Sequence, residues 1–290
     1  MNSPSIELHP LVGFALVLAG LGIVLFVGAP FLARYLLFLP PGIDPGSPPT
    51  LGSVAGEEPR IETSDGVELH AWWYPAAPVA AGDGGPVVVY LHGNAGSIAG
   101  RTMLARSYLE EGISVLLLSY RGYGRSGGRP SFDGVQLDAA AGIAFAADAA
   151  GDPAKVVVHG RSMGGAVGLA ALNHTTAPPG AFILESSFTS LAEVGRAVYP
   201  FLPSPIFGRL SGILDAREAL AGFDGPVLVI HGTDDRIIPP AMSEALHEAA
   251  RHPHDLWLVE GAGHNDLEMV AGAEHGDRIT RFVHTAVGGR

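Results

Sequence analysis

The sequence predicts an α/β domain whose mostly parallel sheet is covered by helices on both faces, preceded by one N-terminal transmembrane helix. From about residue 60 onward, short apolar runs alternate with longer helical patterns, as expected for parallel strands joined by crossover helices. One apolar run ends in a glycine-rich turn that carries Ser162 and continues into a run of small residues. Near the amino end, a long uncharged stretch is typical of a membrane span.

The N-terminal stretch from Leu11 to Ala33 contains no charged side chain and no histidine, so it predicts a single membrane-spanning helix. A buried core helix is disfavoured because the stretch is apolar on every face. Residues 1–7 contain no lysine or arginine and no clear cleavage site follows them, which favours an uncleaved anchor over a signal peptide. Arg34 follows the span and Glu7 precedes it, and this asymmetry favours a cytoplasmic position for the rest of the chain.

Three regions are predicted along the chain: an anchor over 1–39, a tether over 40–59 that is rich in proline and glycine, and a folded domain over 60–290. Within the domain, the alternation of strands and helices breaks over 186–225, where aromatic residues are separated by prolines. Two interpretations of this segment stay open. It is either an irregular connection packed on the core or a small cap that adds an apolar wall to the site.

The elements of the domain follow from local patterns. Asp65-Gly66 predicts a turn between the first two strands, and Ser131 is placed to cap the helix over 133–149. Other helices are predicted within 98–111, directly after Ser162, after Pro239-Pro240 and from about residue 265. The predicted strands are 60–63, 67–74, 87–91, 115–119, 155–159, 182–185, 227–230 and 256–259.

Composition narrows the function. A chain of 290 residues can hold one large α/β domain, and its formal charge of −12 argues against a nucleic-acid partner. The absence of cysteine excludes disulfides, thiolate metal sites and a cysteine nucleophile. His92, His159 and His231 each precede a turn glycine at the end of a strand, so we interpret them as turn residues rather than metal ligands. We expect no metal and no cofactor.

Ser162 is the predicted nucleophile. It lies in the run Gly-Arg-Ser-Met-Gly at 160–164, between an apolar strand and a helix of small residues, so the turn presents its hydroxyl beside the free N–H groups of a helix start. A second run of the same pattern surrounds Ser126. Residues 127–130, Gly-Gly-Arg-Pro, follow it and cannot open a helix at once, so Ser126 is rejected.

A serine hydroxyl needs a base to accept its proton, and the base needs an acid to orient it. Two later strands end in loops with such residues. The strand over 227–230 leads to Asp234 and Asp235, and the strand over 256–259 leads to His264, which follows a glycine and precedes a helix. His264 is therefore the predicted base, and the order along the chain is serine, acid, histidine.

With these motifs in place, residues 60–290 resemble an α/β-hydrolase, and with the anchor they resemble the bud-emergence-type hydrolases, a membrane-tethered group related to eukaryotic protein depalmitoylases. The resemblance implies Asp235 as the acid, since Gly232 and Pro239 frame it as in the family. Asp234 and Glu185 remain rivals. The stretches that carry the resemblance are 63–67 with Trp72, 91–97, 120–126, 160–165 and the two late loops.

The expected oxyanion hole consists of two backbone N–H groups, from Met163 after the nucleophile and from Asn94 in the loop at 92–95, with Ala95 of the same loop as the alternative to Asn94. We expect a serine hydrolase of the esterase or thioesterase type that acts on a small or lipidic acyl substrate near a membrane. The sequence shows no anion-binding pattern, which favours a neutral, apolar acyl group. An aminopeptidase or other amidase on the same fold is the alternative, and a non-catalytic membrane scaffold is a further one.

Overall fold

A seven-stranded sheet forms the centre of the computed structural model, which describes residues 10–76 and 84–287. The strands of the described chain are β1 (Ile61–Glu62), β2 (Glu68–Leu69), β3 (Ala71–Tyr74), β4 (Val87–Leu91), β5 (Ser114–Leu118), β6 (Val156–Arg161), β7 (Ala181–Glu185), β8 (Pro226–Gly232) and β9 (His252–Val259). The order across the main sheet is β3-β5-β4-β6-β7-β8-β9. Only β3 runs antiparallel to its neighbour; the remaining pairs of this sheet are parallel.

The helices connect these strands and cover the sheet. Those of the described chain are α1 (Pro10–Leu37), α2 (Thr102–Glu110), α3 (Phe132–Ala150), α4 (Met163–Ala170), α5 (Leu191–Val198), α6 (Ser204–Gly208), α7 (Ala216–Gly222), α8 (Ala241–Ala249), α9 (Leu267–Ala271) and α10 (Ala273–Val287). The predicted cap of α3 is confirmed: the Ser131 hydroxyl accepts a hydrogen bond from the N–H of Gly134 at 3.1 Å. The predicted α/β architecture is confirmed as well.

The core lies on both faces of the sheet, because side chains along each strand point to opposite sides. On one face, Val87, Val89 and Leu91 of β4 pack with residues of α3, α4, α7 and α8. On the other face, Val88 and Tyr90 pack with residues of α2 and α10. All five of these β4 residues are buried, as expected for a central parallel strand covered by helices on both sides.

Helix α1 includes the stretch Ala19–Leu37, which is long and apolar enough to cross a membrane. Most of this stretch is exposed, but its C-terminal end contacts the domain. Ala29 is buried, Phe38 packs against Phe132, and the Arg34 side chain donates a hydrogen bond to the Pro130 carbonyl at 2.7 Å. Helix α1 is therefore docked on the domain at its C-terminal end.

The predicted strand over 67–74 is wrong in one respect, since it is two strands. β2 pairs with β1 in a hairpin, whereas β3 pairs with β5 in the main sheet. The break lies at His70, whose N–H donates to the Ser126 hydroxyl and whose carbonyl accepts from the N–H of Ser119. These long-range partners take the backbone groups of His70, so the chain changes sheets there.

Residues 40–59 contain only isolated bridges, and Glu57 exchanges backbone hydrogen bonds with Trp73, so the segment runs along the domain. Between β7 and β8, the segment 186–225 holds the short helices α5, α6 and α7. The helix predicted from about residue 265 is divided at Gly272, which has φ 59° and separates α9 from α10. The first nine residues of the predicted anchor lie outside the described residues.

Candidate active site

Ser162 occupies a strained turn between β6 and α4. Its backbone has φ 54° and ψ −120°, a conformation that costs a non-glycine residue about 1–3 kcal/mol. Two neighbours hold it there: the N–H of Ser162 donates to the Glu185 carbonyl at 2.8 Å, and the Ser187 hydroxyl donates to the Ser162 carbonyl at 2.9 Å. The turn presents Ser162 at the carboxyl end of the central strand.

The glycines around Ser162 are required by close backbone contacts. A Cβ atom on Gly164 would lie 2.0 Å from the Leu91 carbonyl oxygen, and one on Gly160 would lie 2.4 Å from the Cα of Gly165. Neither distance leaves room for a side chain. The small residues read from the sequence therefore let α4 pass directly beside the ends of β4 and β6.

The structure brings Ser162, Asp235 and His264 together although they lie on three separate loops. The Ser162 hydroxyl is 3.1 Å from Nε2 of His264, and Nδ1 of His264 is 2.6 Å from Oδ2 of Asp235. With the imidazole proton on Nδ1, the ring donates to the carboxylate and accepts from the hydroxyl. This arrangement can move a proton from serine to histidine while the carboxylate stabilises the imidazolium.

Asp235 is held as a carboxylate. Its Oδ1 accepts hydrogen bonds from the N–H groups of Ile237 and Ile238 at 2.8 and 2.9 Å. Burial by itself raises the pKa of Asp235, but hydrogen bonds from His231, His264 and the Ile238 amide outweigh burial and hold the pKa well below its usual value. The group that faces His264 is therefore a charged acceptor at neutral pH.

His231 belongs to this site, a role that its position before a turn glycine did not indicate. Its Nε2 donates to the Ile238 carbonyl at 2.9 Å and lies 3.1 Å from Oδ2 of Asp235. Its Nδ1 lies 2.6 Å from the Ser243 hydroxyl. The spacing of four residues between His231 and Asp235, across a tight turn, is the signal that could have indicated this contact.

The rival residues are placed elsewhere. Asp234 is exposed, and Ser126 is buried, where it bonds to the backbone of His70 and Ser119. Glu185 is buried beneath the site and contacts His159 and His275 instead of His264, with its Oε2 at 3.2 and 2.9 Å from their Nε2 atoms. None of the three rivals bonds to the base within the described residues.

Arg161 links the base to the buried charges below it. Its Nη2 donates to the His264 carbonyl at 3.0 Å, and its Nε lies 3.4 Å from Oε1 of Glu185. Burial alone raises the pKa of Glu185, yet His275, His159 and Arg161 surround the carboxyl and bring its pKa well below the usual value. Across the ranges 10–76 and 84–287, no grouping of three or more histidine, aspartate or glutamate residues is arranged to hold a metal ion.

The two predicted oxyanion donors are placed beside Ser162. Met163 begins α4 directly after the nucleophile, and the loop with Asn94 lines the same pocket as Ser162 and His264. Among the hydrogen bonds of the described residues, none uses the backbone N–H of Met163 or Asn94. The Asn94 carbonyl is fixed on its other side, where it accepts from the Tyr123 hydroxyl at 2.7 Å and from the N–H of Leu39 at 3.0 Å.

Ser162 opens into a pocket of about 400 Å³ with mainly apolar walls. The segment 186–225 supplies one wall, including Phe188, Leu191 and Phe207, while Ile237 and Ile238 lie next to Asp235. Arg101 and Arg161 also line the pocket. Folding therefore carries two arginines from distant segments to the pocket, although no local sequence pattern placed them there.

Comparison with known proteins decides the family. A family model of serine aminopeptidases, S33, matches residues 85–211, and a model of the alpha/beta hydrolase fold matches 202–268. The uncharacterized protein Rv2307c of Mycobacterium tuberculosis is 40% identical over 278 residues, which are 93% of each chain. The chain belongs to the α/β-hydrolase superfamily.

Two other relatives place this α/β-hydrolase in the bud-emergence-type group. The alpha/beta hydrolase domain-containing protein WAV2 of Arabidopsis thaliana is 31% identical, over 88% of this chain and 89% of its own length. Protein bem46 of Schizosaccharomyces pombe is 31% identical over 75% of each chain. The resemblance read from the motifs is confirmed.

Solved structures share the fold of this α/β-hydrolase. An esterase of Pyrococcus furiosus, Pf2001, superposes with a TM-score of 0.67 at 23% identity, over 87% of this chain and 99% of that one. A puromycin-hydrolyzing peptidase of Mycobacterium tuberculosis superposes with a TM-score of 0.69 at 22% identity, over 84% of this chain and 41% of that one. At such identities the likeness shows the fold alone.

Proposed function

We propose that this hydrolase is a membrane-anchored serine enzyme that cleaves carboxylic ester or thioester bonds of substrates with an apolar acyl group. The observation that carries the proposal is the hydrogen-bonded series Asp235, His264 and Ser162 at the wall of an apolar pocket. The order of these residues along the chain is the order used by α/β-hydrolases.

In the first half of the reaction, the Ser162 oxygen attacks the carbonyl carbon and its proton passes to Nε2 of His264. The oxygen of the tetrahedral intermediate accepts hydrogen bonds from the N–H groups of Met163 and Asn94, which have no other partner among the described residues. His264 then gives the proton to the leaving alcohol or thiol, and an acyl-enzyme remains on Ser162.

In the second half, water takes the place of the leaving group. His264 removes a proton from the water, the hydroxide attacks the acyl-enzyme, and the carboxylic acid leaves as Ser162 recovers its proton. Asp235 stays charged throughout, because its lowered pKa keeps it from accepting the proton of the imidazolium.

The apolar helix α1 supports attachment to a membrane, since Ala19–Leu37 can span a bilayer and is mostly exposed. A cytoplasmic position of the domain rests on Arg34 and Glu7, of which Glu7 lies outside the described residues. The names of two relatives, an esterase and a peptidase, agree with acyl transfer to water.

A fluorophosphonate probe tests the nucleophile. The wild-type protein should be labelled covalently, and Ser162→Ala should lose both labelling and ester hydrolysis, by about 10⁴-fold or more in kcat. Ser126→Ala serves as the matched control and should keep both. Failure to label the wild type would favour the non-catalytic scaffold, and labelling that persists in Ser162→Ala would reject Ser162.

An aminopeptidase or amidase is the second candidate, favoured by the match to the model of serine aminopeptidases. An aminopeptidase needs an acidic group to bind the free amino end of its substrate, and none of the described residues that line the pocket is acidic. We therefore expect p-nitrophenyl acyl esters to be cleaved and aminoacyl anilides to be resistant. Faster hydrolysis of the anilides would reverse this choice.

A further inference from the structure

The membrane helix forms part of the active-site pocket. Ala29, Leu32, Ala33, Leu36 and Leu37 of α1 line it, and we call these five residues the anchor wall. All five lie within Ala19–Leu37, the stretch that can cross a bilayer. The surface that meets the hydrocarbon of the membrane is therefore continuous with the surface that faces the pocket of Ser162.

Contacts on the domain hold the anchor wall in place. Ala33 and Leu37 pack against a buried cluster of Leu191, Phe207 and Leu210, which lies within the segment 186–225. One residue beyond the helix, the N–H of Phe38 still bonds to the Arg34 carbonyl at 3.1 Å. The pocket thus lies between a membrane helix and the segment between β7 and β8.

We infer that the anchor wall binds the acyl chain of a substrate that enters from the bilayer, and that it sets the preferred chain length; this rests on the proposed serine hydrolase function. An acyl chain that slides along α1 stays in apolar surroundings from the membrane to Ser162. Each methylene that the wall removes from water contributes about four-fold to kcat/KM, so wall residues act on long chains and leave short ones unaffected.

Acyl-length profiles of the full chain in detergent micelles test the wall. With p-nitrophenyl esters from butyryl to palmitoyl, Ala33→Leu should lower kcat/KM for the long esters by about ten-fold and spare the butyryl ester, because the added methylenes fill the pocket. Leu36→Ala makes a side chain of the anchor wall smaller and so leaves more room in the pocket. This variant should therefore shift the preference toward longer acyl chains. Ala19→Leu, on an exposed part of the same helix, is the matched control and should leave the profile unchanged.

Fluorophosphonate labelling separates the two ways to fail. A wild type that is neither labelled nor active on any ester would overturn the proposed function. A labelled, active enzyme whose profile is the same in Ala33→Leu, Leu36→Ala and Ala19→Leu would overturn the wall and leave the function standing. Unchanged unfolding temperatures in the variants exclude a folding defect as the cause.

Entry from the bilayer has its own test. The full chain is reconstituted in vesicles of ether-linked phosphatidylcholine, which contain a long-chain ester at varied mole fraction. The rate should follow the mole fraction of ester in the membrane at constant bulk concentration. A rate that follows the bulk concentration alone would overturn entry from the bilayer.

A second inference comes from Arg101, which lines the same pocket at the end of a 3₁₀ turn over Ile98–Arg101. Its Nε is buried and bonds to none of the described residues, and none of the ion pairs among those residues includes Arg101. Arg161 differs, since Glu185 accompanies it. A buried guanidinium donor without a partner is costly, so an external acceptor at this position would relieve that cost.

We propose that Arg101 binds an anionic group of the substrate, a carboxylate or a phosphate; this also rests on the proposed function. The absence of acidic residues among the described residues of the pocket leaves its positive charge available to such a group. A guanidinium fits both anions because two of its N–H groups can bond two oxygens at once.

Two pairs of esters test Arg101, and the two members of each pair carry the same acyl chain. The first pair is an acylglycerol and the corresponding acylglycerol phosphate. The second pair is a neutral alkyl ester and an alkyl ester that bears a carboxylate. Arg101→Gln should lower the anionic-to-neutral ratio of kcat/KM by about 10- to 100-fold in at least one pair. Arg101→Lys should restore part of it. Arg106→Gln, an exposed arginine on α2, is the control. Ratios that stay constant in Arg101→Gln, with neutral esters still cleaved, would overturn this site and leave the hydrolase function intact.

Discussion

At the scale of the residue, the candidate site depends on contacts behind Asp235 as much as on His264 and Ser162 in front of it. Asp235 receives two backbone N–H groups on one oxygen and two imidazoles near the other. This carboxylate is therefore positioned before substrate arrives, which keeps the cost of reorganisation out of the reaction. His231 is a positioning residue, since it acts on His264 only through Asp235.

His231→Phe should lower kcat by about ten-fold with little change in KM, because the acid loses one donor but the pocket keeps its walls. His231→Gln retains an N–H donor and should recover part of the loss. Steady-state kinetics with a soluble ester measures both variants. A rise in KM as large as the fall in kcat would contradict the positioning role. A loss of activity that parallels a lower unfolding temperature would contradict it as well.

At the scale of the element, the loop that carries Asn94 is bonded to the residues that follow the apolar helix α1. The Tyr123 hydroxyl donates to the Asn94 carbonyl at 2.7 Å and accepts from the N–H of Leu39 at 3.1 Å. Leu39 comes two residues after α1, and it also pairs with Ala95. The position of the Asn94 N–H is therefore coupled to the position at which α1 ends.

Tyr123→Phe removes that hydroxyl and should lower kcat by about ten-fold. It should also destabilise the fold by about 1–3 kcal/mol, because two hydrogen bonds of about 0.5–1.5 kcal/mol each are lost. KM should stay nearly constant, because the oxyanion forms only after binding. The kcat is measured together with denaturant unfolding. A variant with unchanged kcat would show that the coupling has no effect on catalysis.

At the scale of the whole molecule, buried charges beneath the site connect β6, β7 and α10. Glu185 lies between His159, His275 and Arg161, and its pKa is held well below the usual value although burial alone raises it. Burial by itself lowers the pKa of His275, but the charge of Glu185 overcomes this and raises it. The stability of the fold should therefore fall both when the pH is lowered and when it is raised.

The stability that Glu185 contributes is complete above its ordinary pKa of 4.5 and is lost as the pH falls below it. The stability that His275 contributes is complete below its ordinary pKa of 6.5 and is lost as the pH rises through the raised value. We expect the unfolding temperature to be highest between these two pH limits. Each kcal/mol of stability lost outside them should lower the unfolding temperature by about 2–4 °C.

The variant His275→Gln should flatten the alkaline fall of the unfolding temperature, measured by circular dichroism between pH 5 and about pH 9, the range in which histidine titrates. His284→Gln is the control, since His284 is exposed and bonds only to the Glu111 carbonyl among the described residues. The same alkaline slope in wild type and His275→Gln would refute the assignment.

The elements that local rules govern were predictable. The cap at Ser131 and the buried run of β4 depend on neighbours in sequence, and the strand, turn and helix around Ser162 carry their own glycines. The change of sheet at His70 was not, because its hydrogen-bond partners Ser119 and Ser126 lie far along the chain. The order of the loops indicated where an acid and a base belong, since each loop follows a predicted strand.

The sequence by itself determined the fold class, the apolar helix and the candidate residues Ser162, Asp235 and His264, because each depends on local pattern and on the order of loops. Tertiary structure alone decided that the anchor wall lines the pocket, that Arg101 reaches the same pocket and that His231 supports Asp235. The physical reason is that these contacts join segments that are far apart in the sequence, so no local pattern of residues predicts them. Their distances exist only once the sheet has brought its carboxyl ends together.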